Sequence, residues 1–217
     1  MHSGDYVESY NSKPLDRVRN LAALLELPDQ ASLVDLLCGN DMLLHALGKL
    51  GESYEGVDFS PDFIRSAKAW AAREGCKNYR FHCEEIVQFC ERNPGKFDAA
   101  STLDFSEHVP DDQLIPIYSA IRQSLAKGGV LYLHTPNLDF FVERAKDVGI
   151  LRQFDEHVAV RTGKQLVALL VEAGFLKEQV SQRYSSHYKL LKHLHPLRNL
   201  PLVGRWFKAR IWIVAKI

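Results

Sequence analysis

The stretch "VDLLCGNDMLLHALGKLGESYEGVDFSP", residues 34–61, decides the fold. An apolar strand runs into a turn at Cys38-Gly39-Asn40, a helix follows, and a second strand ends on an acidic residue, Asp58. A strand, a turn containing glycine, a helix and a second strand form the half-fold that binds nucleotide cofactors, with the ligand beyond the carboxyl ends of the strands. We therefore expect a cofactor site at this turn.

Strands and helices alternate through the rest of the chain. Hydrophobic spacing predicts helices over 14–27, 42–50, 61–71, 84–91, 114–125 and 162–173. Short apolar or alternating runs predict strands over 32–37, 53–59, 79–83, 97–103, 130–135, 177–184 and 209–217. This order predicts an α/β fold with a doubly wound parallel sheet covered on both faces.

Length and composition favour one ordinary domain spanning residues 1–217. No apolar run is long enough for a membrane span, and no signal peptide opens the sequence, so we expect a cytoplasmic protein. The four cysteines have neither CxxC spacing nor a histidine pair at metal-ligand spacing beside them. They read as reduced thiols, and we expect no metal site.

The net charge of zero hides a strong asymmetry. Residues 179–217 carry eight basic and no acidic side chains, so residues 1–178 have a net charge of −8. Residues 185–208, a basic insertion between strands six and seven, mix Lys, Arg and His with Leu, Trp and Phe. Such a mixture in residues 186–208 is typical of a segment that contacts an anionic membrane, which would place the protein at the inner membrane face. The alternatives are an acceptor-pocket cover or a dimer contact; nucleic acid is not expected, because no recognition motif accompanies the charge.

A nicotinamide cofactor would need G-x-G-x-x-G at the first turn, and the chain offers only Gly39 there. Five motifs in order resemble the class I S-adenosylmethionine-dependent methyltransferases, in their ubiquinone-biosynthesis-like branch. These are "DLLCGND" (35–41), "GVDFSP" (56–61), "FDAASTLDFSEHVPDDQL" (97–114), "LAKGGVLYLHTPN" (125–137) and "GKQLVALLVEAGF" (163–175). The resemblance implies a Rossmann-like, mostly parallel seven-stranded sheet whose last strand is antiparallel, with S-adenosyl-L-methionine as cofactor.

The resemblance also assigns cofactor-binding residues. Asp58 would accept the ribose hydroxyls, its alternative role being to cap the helix that starts at Ser60. Residues 1–30 would form an N-terminal lid and helix. The full set of implied cofactor residues is Tyr10, Asp35, Cys38, Gly39, Asn40, Asp41, Asp58, Phe59, Glu84, Glu85, Ile86, Leu103, Asp104, Phe105 and His108.

The chain departs from the family pattern at Leu37 and Asp41, where glycine is usual. Side chains there would either crowd the pocket or demand that the loop adopt ordinary dihedral angles. Asp41 would cap the helix that begins at Met42, or would face the ammonium group of the cofactor.

Transfer to an alcohol needs a general base, and histidine suits that role near neutral pH. The resemblance makes His108 and His157 the candidate catalytic residues, with His134 a packed residue. We expect O-methylation of a small molecule, sugar or lipid-linked glycan by a monomer or homodimer. N-methylation of an amino sugar or amine, or a non-catalytic methyltransferase-like partner protein, are the alternatives.

Overall fold

The computed structural model describes residues 16–47, 53–154, 156–187 and 189–217. Within them, the α-helices are α1 (Asp16–Ala22), α2 (Met42–Leu47), α3 (Pro61–Arg73), α4 (Ile86–Glu91), α5 (Asp111–Ser124), α6 (Phe141–Asp147) and α7 (Gly163–Glu172). The strands are β1 (Ser32–Leu36), β2 (Ser53–Asp58), β3 (Tyr79–Cys83), β4 (Phe97–Leu103), β5 (Leu125–Pro136), β6 (Val180–Ser185) and β7 (Arg210–Lys216). Short 3-10 helices cover Ser106–His108, Lys177–Gln179, Lys189–Asn199 and Gly204–Phe207.

The seven strands form one sheet in the order β3-β2-β1-β4-β5-β7-β6. β1 runs parallel to both β2 and β4, β2 runs parallel to β3, and β6 pairs with β7 in the antiparallel direction. Central strands buried on both faces are mostly apolar, and β1 is buried along nearly its whole length, with Asp35 as a buried polar residue. The sequence-based prediction of a mostly parallel, doubly wound sheet with an antiparallel last strand is confirmed.

Helix ends follow local chemistry. The Ser60-Pro61 step starts α3, since proline supplies helical dihedral angles at a position whose amide needs no partner. At α7 the Thr162 side chain accepts from the Gln165 amide, and the Gln165 side chain accepts from the Thr162 amide, a full capping box. In the part of the chain that the structure describes, no helix combines the length and apolar character needed to cross a bilayer.

Two compact units divide the chain. The first comprises residues up to Thr102 together with Gln123–Val130, and it contains β1 to β3 and most of β4. The second comprises Leu103–Arg122 and Leu131–Ile217, and it contains the second half of β5 with β6 and β7. The prediction of a single methyltransferase domain stays a prediction.

Candidate functional site

The turn between β1 and α2 contains three residues in the left-handed conformation. The φ angles are 60° at Leu37, 56° at Gly39 and 68° at Asp41. A residue with a side chain pays about 1–2 kcal/mol for this conformation, whereas glycine does not. The turn therefore keeps a glycine-like shape although only one of the three residues is glycine. Of the two alternatives that the sequence left open, ordinary dihedral angles at Leu37 and Asp41 is the wrong one.

Asp58, at the end of β2, holds this turn. Its Oδ2 accepts a hydrogen bond from the Gly39 amide at 3.0 Å, and its Oδ1 accepts one from the Ser60 amide at 2.8 Å. The carboxylate is 3% exposed. Asp58 thus joins the turn to the start of α3, which is the alternative role that the sequence suggested. Because each carboxylate oxygen accepts more than one hydrogen bond, the same group can also take the ribose hydroxyls.

A second set of buried hydrogen bonds, centred on Tyr54, supports the turn. The hydroxyl of Tyr54 lies 2.5 Å from Asp41 Oδ1 and 3.1 Å from Asp35 Oδ2, and the Ser101 hydroxyl donates to Asp35 Oδ1 at 2.6 Å. One phenolic proton cannot satisfy two carboxylates, so a further proton must reside on one of the acids. Burial raises the pKa of Asp35 to about 7 and the pKa of Asp41 well above its ordinary value.

The same contacts decide the position of Asp41. Its side chain is fully buried, and the amide of Leu44, in the first turn of α2, hydrogen-bonds to it. These contacts support the helix-cap interpretation. Tyr54 was missed by sequence reasoning, although a tyrosine inside a buried strand needs a polar partner and so offered a signal.

The other predicted cofactor residues of the first unit vary in exposure. Cys38 is buried, and burial raises the pKa of its thiol well above the ordinary value, so the group stays protonated. Asn40 is half-buried, Phe59 is exposed and Ile86 is buried. After β3, Glu84 pairs with Arg92, whereas Glu85 is exposed. Tyr10 lies outside the described residues.

In the second unit, Asp104 stands at the end of β4 with a left-handed φ of 54°. Its Oδ1 lies 2.9 Å from His134 Nδ1 and 3.2 Å from Arg210 Nη1. His134 is 1% exposed, as expected for a packed residue. Leu103 is half-buried and Phe105 is buried on either side of Asp104. Asp104 is therefore a charge-paired group in this unit.

The two candidate catalytic histidines lie side by side. The ring centroids of His108 and His157 are 5.1 Å apart, and the rings are nearly perpendicular. His108 is exposed and His157 is half-buried. Burial, followed by the charge of His108, lowers the pKa of His157 to about 4. Glu107 completes the group: its carboxylate is buried and accepts from the Thr135 hydroxyl at 2.9 Å.

Arg161 ties together the two segments that carry these residues. Its guanidinium donates to the carbonyls of Ser106 and Val109, at 2.5 and 2.6 Å, and to Asp111 at 2.6 Å. The amide of Ala159 donates to the Glu107 carbonyl at 3.0 Å. Sequence reasoning missed Arg161, since nothing in the letters around it marks an arginine that binds carbonyls.

The basic insertion carries exposed apolar side chains. Leu190, Leu200, Leu202 and Trp206 are all more than 40% exposed, and Arg205 lies over the Trp206 ring at 5.6 Å. Phe207, by contrast, packs near Phe141. Contact with an anionic membrane stays a prediction.

Comparison with known proteins places this geometry in a family. Residues 6–180 match the model of a methyltransferase domain. A ubiquinone biosynthesis O-methyltransferase of Xanthomonas campestris is 30% identical over 121 residues, which are 56% of this chain and 49% of that protein. The chain thus spans about half the length of the curated relatives it matches.

Solved structures agree on the fold. An S-adenosylmethionine-dependent methyltransferase from Archaeoglobus fulgidus superimposes with a TM-score of 0.75 at 14% identity, covering 99% of this chain and all of that one. Phosphoethanolamine N-methyltransferase 2 from Haemonchus contortus, in complex with S-adenosyl-L-methionine, gives 0.66 at 15% identity, covering 93% of this chain and 52% of that one. Identities this low support the fold alone.

The strain at Leu37 can be tested by replacement. Leu37→Gly removes the cost of a left-handed side chain but adds about 0.5–1 kcal/mol of chain entropy to folding. We expect the free energy of unfolding, measured with urea, to rise by up to about 1 kcal/mol. Leu37→Ala is the matched control, because it keeps the β-carbon and hence the strain. A glycine variant less stable than the alanine variant would contradict this interpretation.

Asp58→Ala should weaken binding of S-adenosylmethionine. Loss of a charge-assisted acceptor costs about 1.5–3 kcal/mol, which is about 10- to 150-fold in the dissociation constant. Calorimetry on the folded variant measures it, with Asp62→Ala in the first turn of α3 as a control that should bind normally. Equal affinities of the two variants for S-adenosylmethionine would show that Asp58 does not bind the cofactor.

Asp35 should make stability depend on pH. Its folded-state pKa of about 7 lies above its ordinary value of 3.8, so the native state holds the proton more tightly. The contribution of this group to the free energy of unfolding therefore falls as pH rises from about 4 to 7. Asp35→Asn should remove that slope. As the pH rises from 4 to 8, the free energy of unfolding of this variant should therefore increase by up to about 4 kcal/mol relative to that of the wild type. Parallel slopes for the wild type, Asp35→Asn and the surface control Asp112→Asn would refute the assignment.

Proposed function

The chain belongs to the methyltransferase domain family and uses S-adenosyl-L-methionine as its cofactor, and we propose that it transfers the methyl group to an oxygen atom of a small molecule, sugar or lipid-linked glycan. Methyl transfer from a sulfonium is a direct displacement. The protein's main tasks are to align the acceptor and to exclude water.

The observation that carries the choice of oxygen is the pair His108 and His157. A hydroxyl is a weak nucleophile until its proton leaves, and a base within reach of it speeds that step. The two imidazoles lie 5.1 Å apart, and the exposed one has its Nδ1 2.8 Å from the Glu156 carbonyl. A carbonyl accepts only, so Nδ1 of His108 carries the proton and Nε2 carries the lone pair that a base needs.

The name of the Xanthomonas relative also supports an oxygen acceptor. That protein is an O-methyltransferase of ubiquinone biosynthesis, and it is 30% identical to this chain over 121 residues. The acceptor itself stays open, since fold does not determine the substrate. Unmodified amines need less help from a base, so a histidine pair would be less useful to an N-methyltransferase.

The experiment uses S-adenosylmethionine with an isotopically labelled methyl group and matched acceptors. Each hydroxylated aromatic or sugar is paired with the analogue in which an amino group replaces the hydroxyl. We expect label on the hydroxyl compounds, and His108→Ala or His157→Ala should lower turnover by about 10²–10⁴. The loss should shrink as pH rises, because the acceptor then ionises without help.

Controls separate the alternatives. His193→Ala, in the basic insertion, should keep full turnover. Label found only on amines would favour N-methylation. No transfer to any acceptor by a protein that binds the cofactor would favour a non-catalytic partner protein.

A further inference from the structure

We propose that Glu107, His108 and His157 form a binding site for a divalent transition-metal ion. One potential ligand atom from each residue lies within 4.8 Å of the other two. Two imidazoles and one carboxylate are the ligand set of catalytic zinc and of non-haem iron sites. Sequence analysis did not indicate this site, because the cysteines lack metal-ligand spacing and the two histidines are 49 positions apart in the chain.

The histidines present suitable nitrogen atoms. His108 Nδ1 lies 2.8 Å from the Glu156 carbonyl, which fixes the proton on Nδ1 and the lone pair on Nε2. A backbone carbonyl holding one ring nitrogen is the usual outer support of a metal-ligating histidine. In His157, Nδ1 is buried and has no hydrogen-bond partner among the residues that the structure describes. A buried polar atom without a partner is costly, and a metal ion would satisfy it.

Glu107 supplies the anionic ligand. Its side chain is 1% exposed, and its Oε2 accepts from the Thr135 hydroxyl at 2.9 Å. The Ser106 hydroxyl in turn donates to Thr135 Oγ1 at 2.9 Å. This chain of hydrogen bonds orients the carboxylate, as ligating carboxylates require.

The backbone around the three residues is firmly held. Arg161 binds the carbonyls on both sides of Glu107 and His108, and the Ala159 amide binds the Glu107 carbonyl. In tetrahedral zinc sites with ligand distances of about 2.1 Å, ligand atoms are about 3.4 Å apart. The ligand atoms therefore need to approach one another by up to about 1.4 Å on binding, a movement open to the exposed side chain of His108.

The role of the ion rests on the proposed function. Three protein ligands leave a coordination position for an acceptor hydroxyl, whose pKa the ion lowers. The hydroxyl proton leaves to solvent, and an oxygen lone pair forms the bond to the methyl carbon. The carbon–sulfur bond breaks with its electron pair moving to sulfur, so the sulfonium becomes a neutral thioether. A hydroxylated acceptor then needs no separate histidine base.

The test titrates metal-free protein in the absence of cofactor, following Co²⁺ by its visible absorption and Zn²⁺ by competition with a chromophoric chelator. We expect one equivalent of either ion to bind. Glu107→Gln, His108→Gln and His157→Gln should each weaken binding by more than about 10-fold. His193→Gln serves as the matched control and should bind as the wild type does.

Several outcomes would overturn the proposal. These are an absence of Co²⁺ absorption in the wild type, or equal affinities in His108→Gln and His193→Gln. Since His108 is exposed, its replacement tests the site even if the variants at Glu107 and His157 fail to fold. S-adenosylhomocysteine binding, measured on the same protein, separates the two proposals. Cofactor binding without metal binding refutes only the metal site, whereas metal binding without cofactor binding refutes only methyl transfer.

Discussion

The carboxylate of Asp58 is the constraint on which the cofactor half of the protein depends. It holds the amides of Gly39 and Ser60 together, and so fixes where β1 ends relative to the start of α3. The turn it holds contains two left-handed residues with side chains, a conformation that costs about 1–3 kcal/mol each and persists only where surrounding contacts over-determine it. Asp41, bound by Tyr54, supplies the second such contact. At one of the two positions where glycine is usual, the Asp41 side chain thus holds the turn from inside the protein.

Holding the turn in this way places two further carboxyl groups, those of Asp35 and Asp41, in a buried environment. Asp35 and Asp41 both reach one tyrosine hydroxyl, and burial raises the pKa of each. A protonated acid satisfies the cluster without leaving a second buried charge beside Asp58. The negative charge near the turn is then carried mainly by Asp58, the residue predicted to bind the ribose. Because Asp35, Asp41 and Tyr54 share protons, they can hold the strained turn without adding further negative charge next to the predicted cofactor site.

In the second unit, hydrogen bonds to backbone carbonyls perform a similar task. Arg161 and the Ala159 amide fasten the segment of His157 to the segment of Glu107 and His108. A direct displacement at a methyl carbon gains most from alignment, so side chains held in this way are more useful than mobile ones. In the two proposals made above, either the histidine pair takes the acceptor proton or an ion bound to the histidines and Glu107 promotes its loss.

Much of the fold could be predicted, because alternation of apolar strands and amphipathic helices leaves few topologies. The motif order identified the family and the cofactor. The place of Asp58 at the end of the second strand led to its predicted role in binding the ribose, which stays a prediction. The dihedral angles of Leu37 and Asp41 could not be predicted, since they depend on Tyr54 and other residues distant along the chain. Arg161 was missed for the same reason: its partners are carbonyl groups, which leave no trace in a sequence.

The most direct test of this account is a crystal structure with bound S-adenosylhomocysteine. We expect the ribose hydroxyls within hydrogen-bond distance of the Asp58 carboxylate, over a turn that keeps positive φ angles at Leu37, Gly39 and Asp41. Ribose hydroxyls bound by other residues, or a turn whose φ angles become negative when the ligand binds, would contradict it.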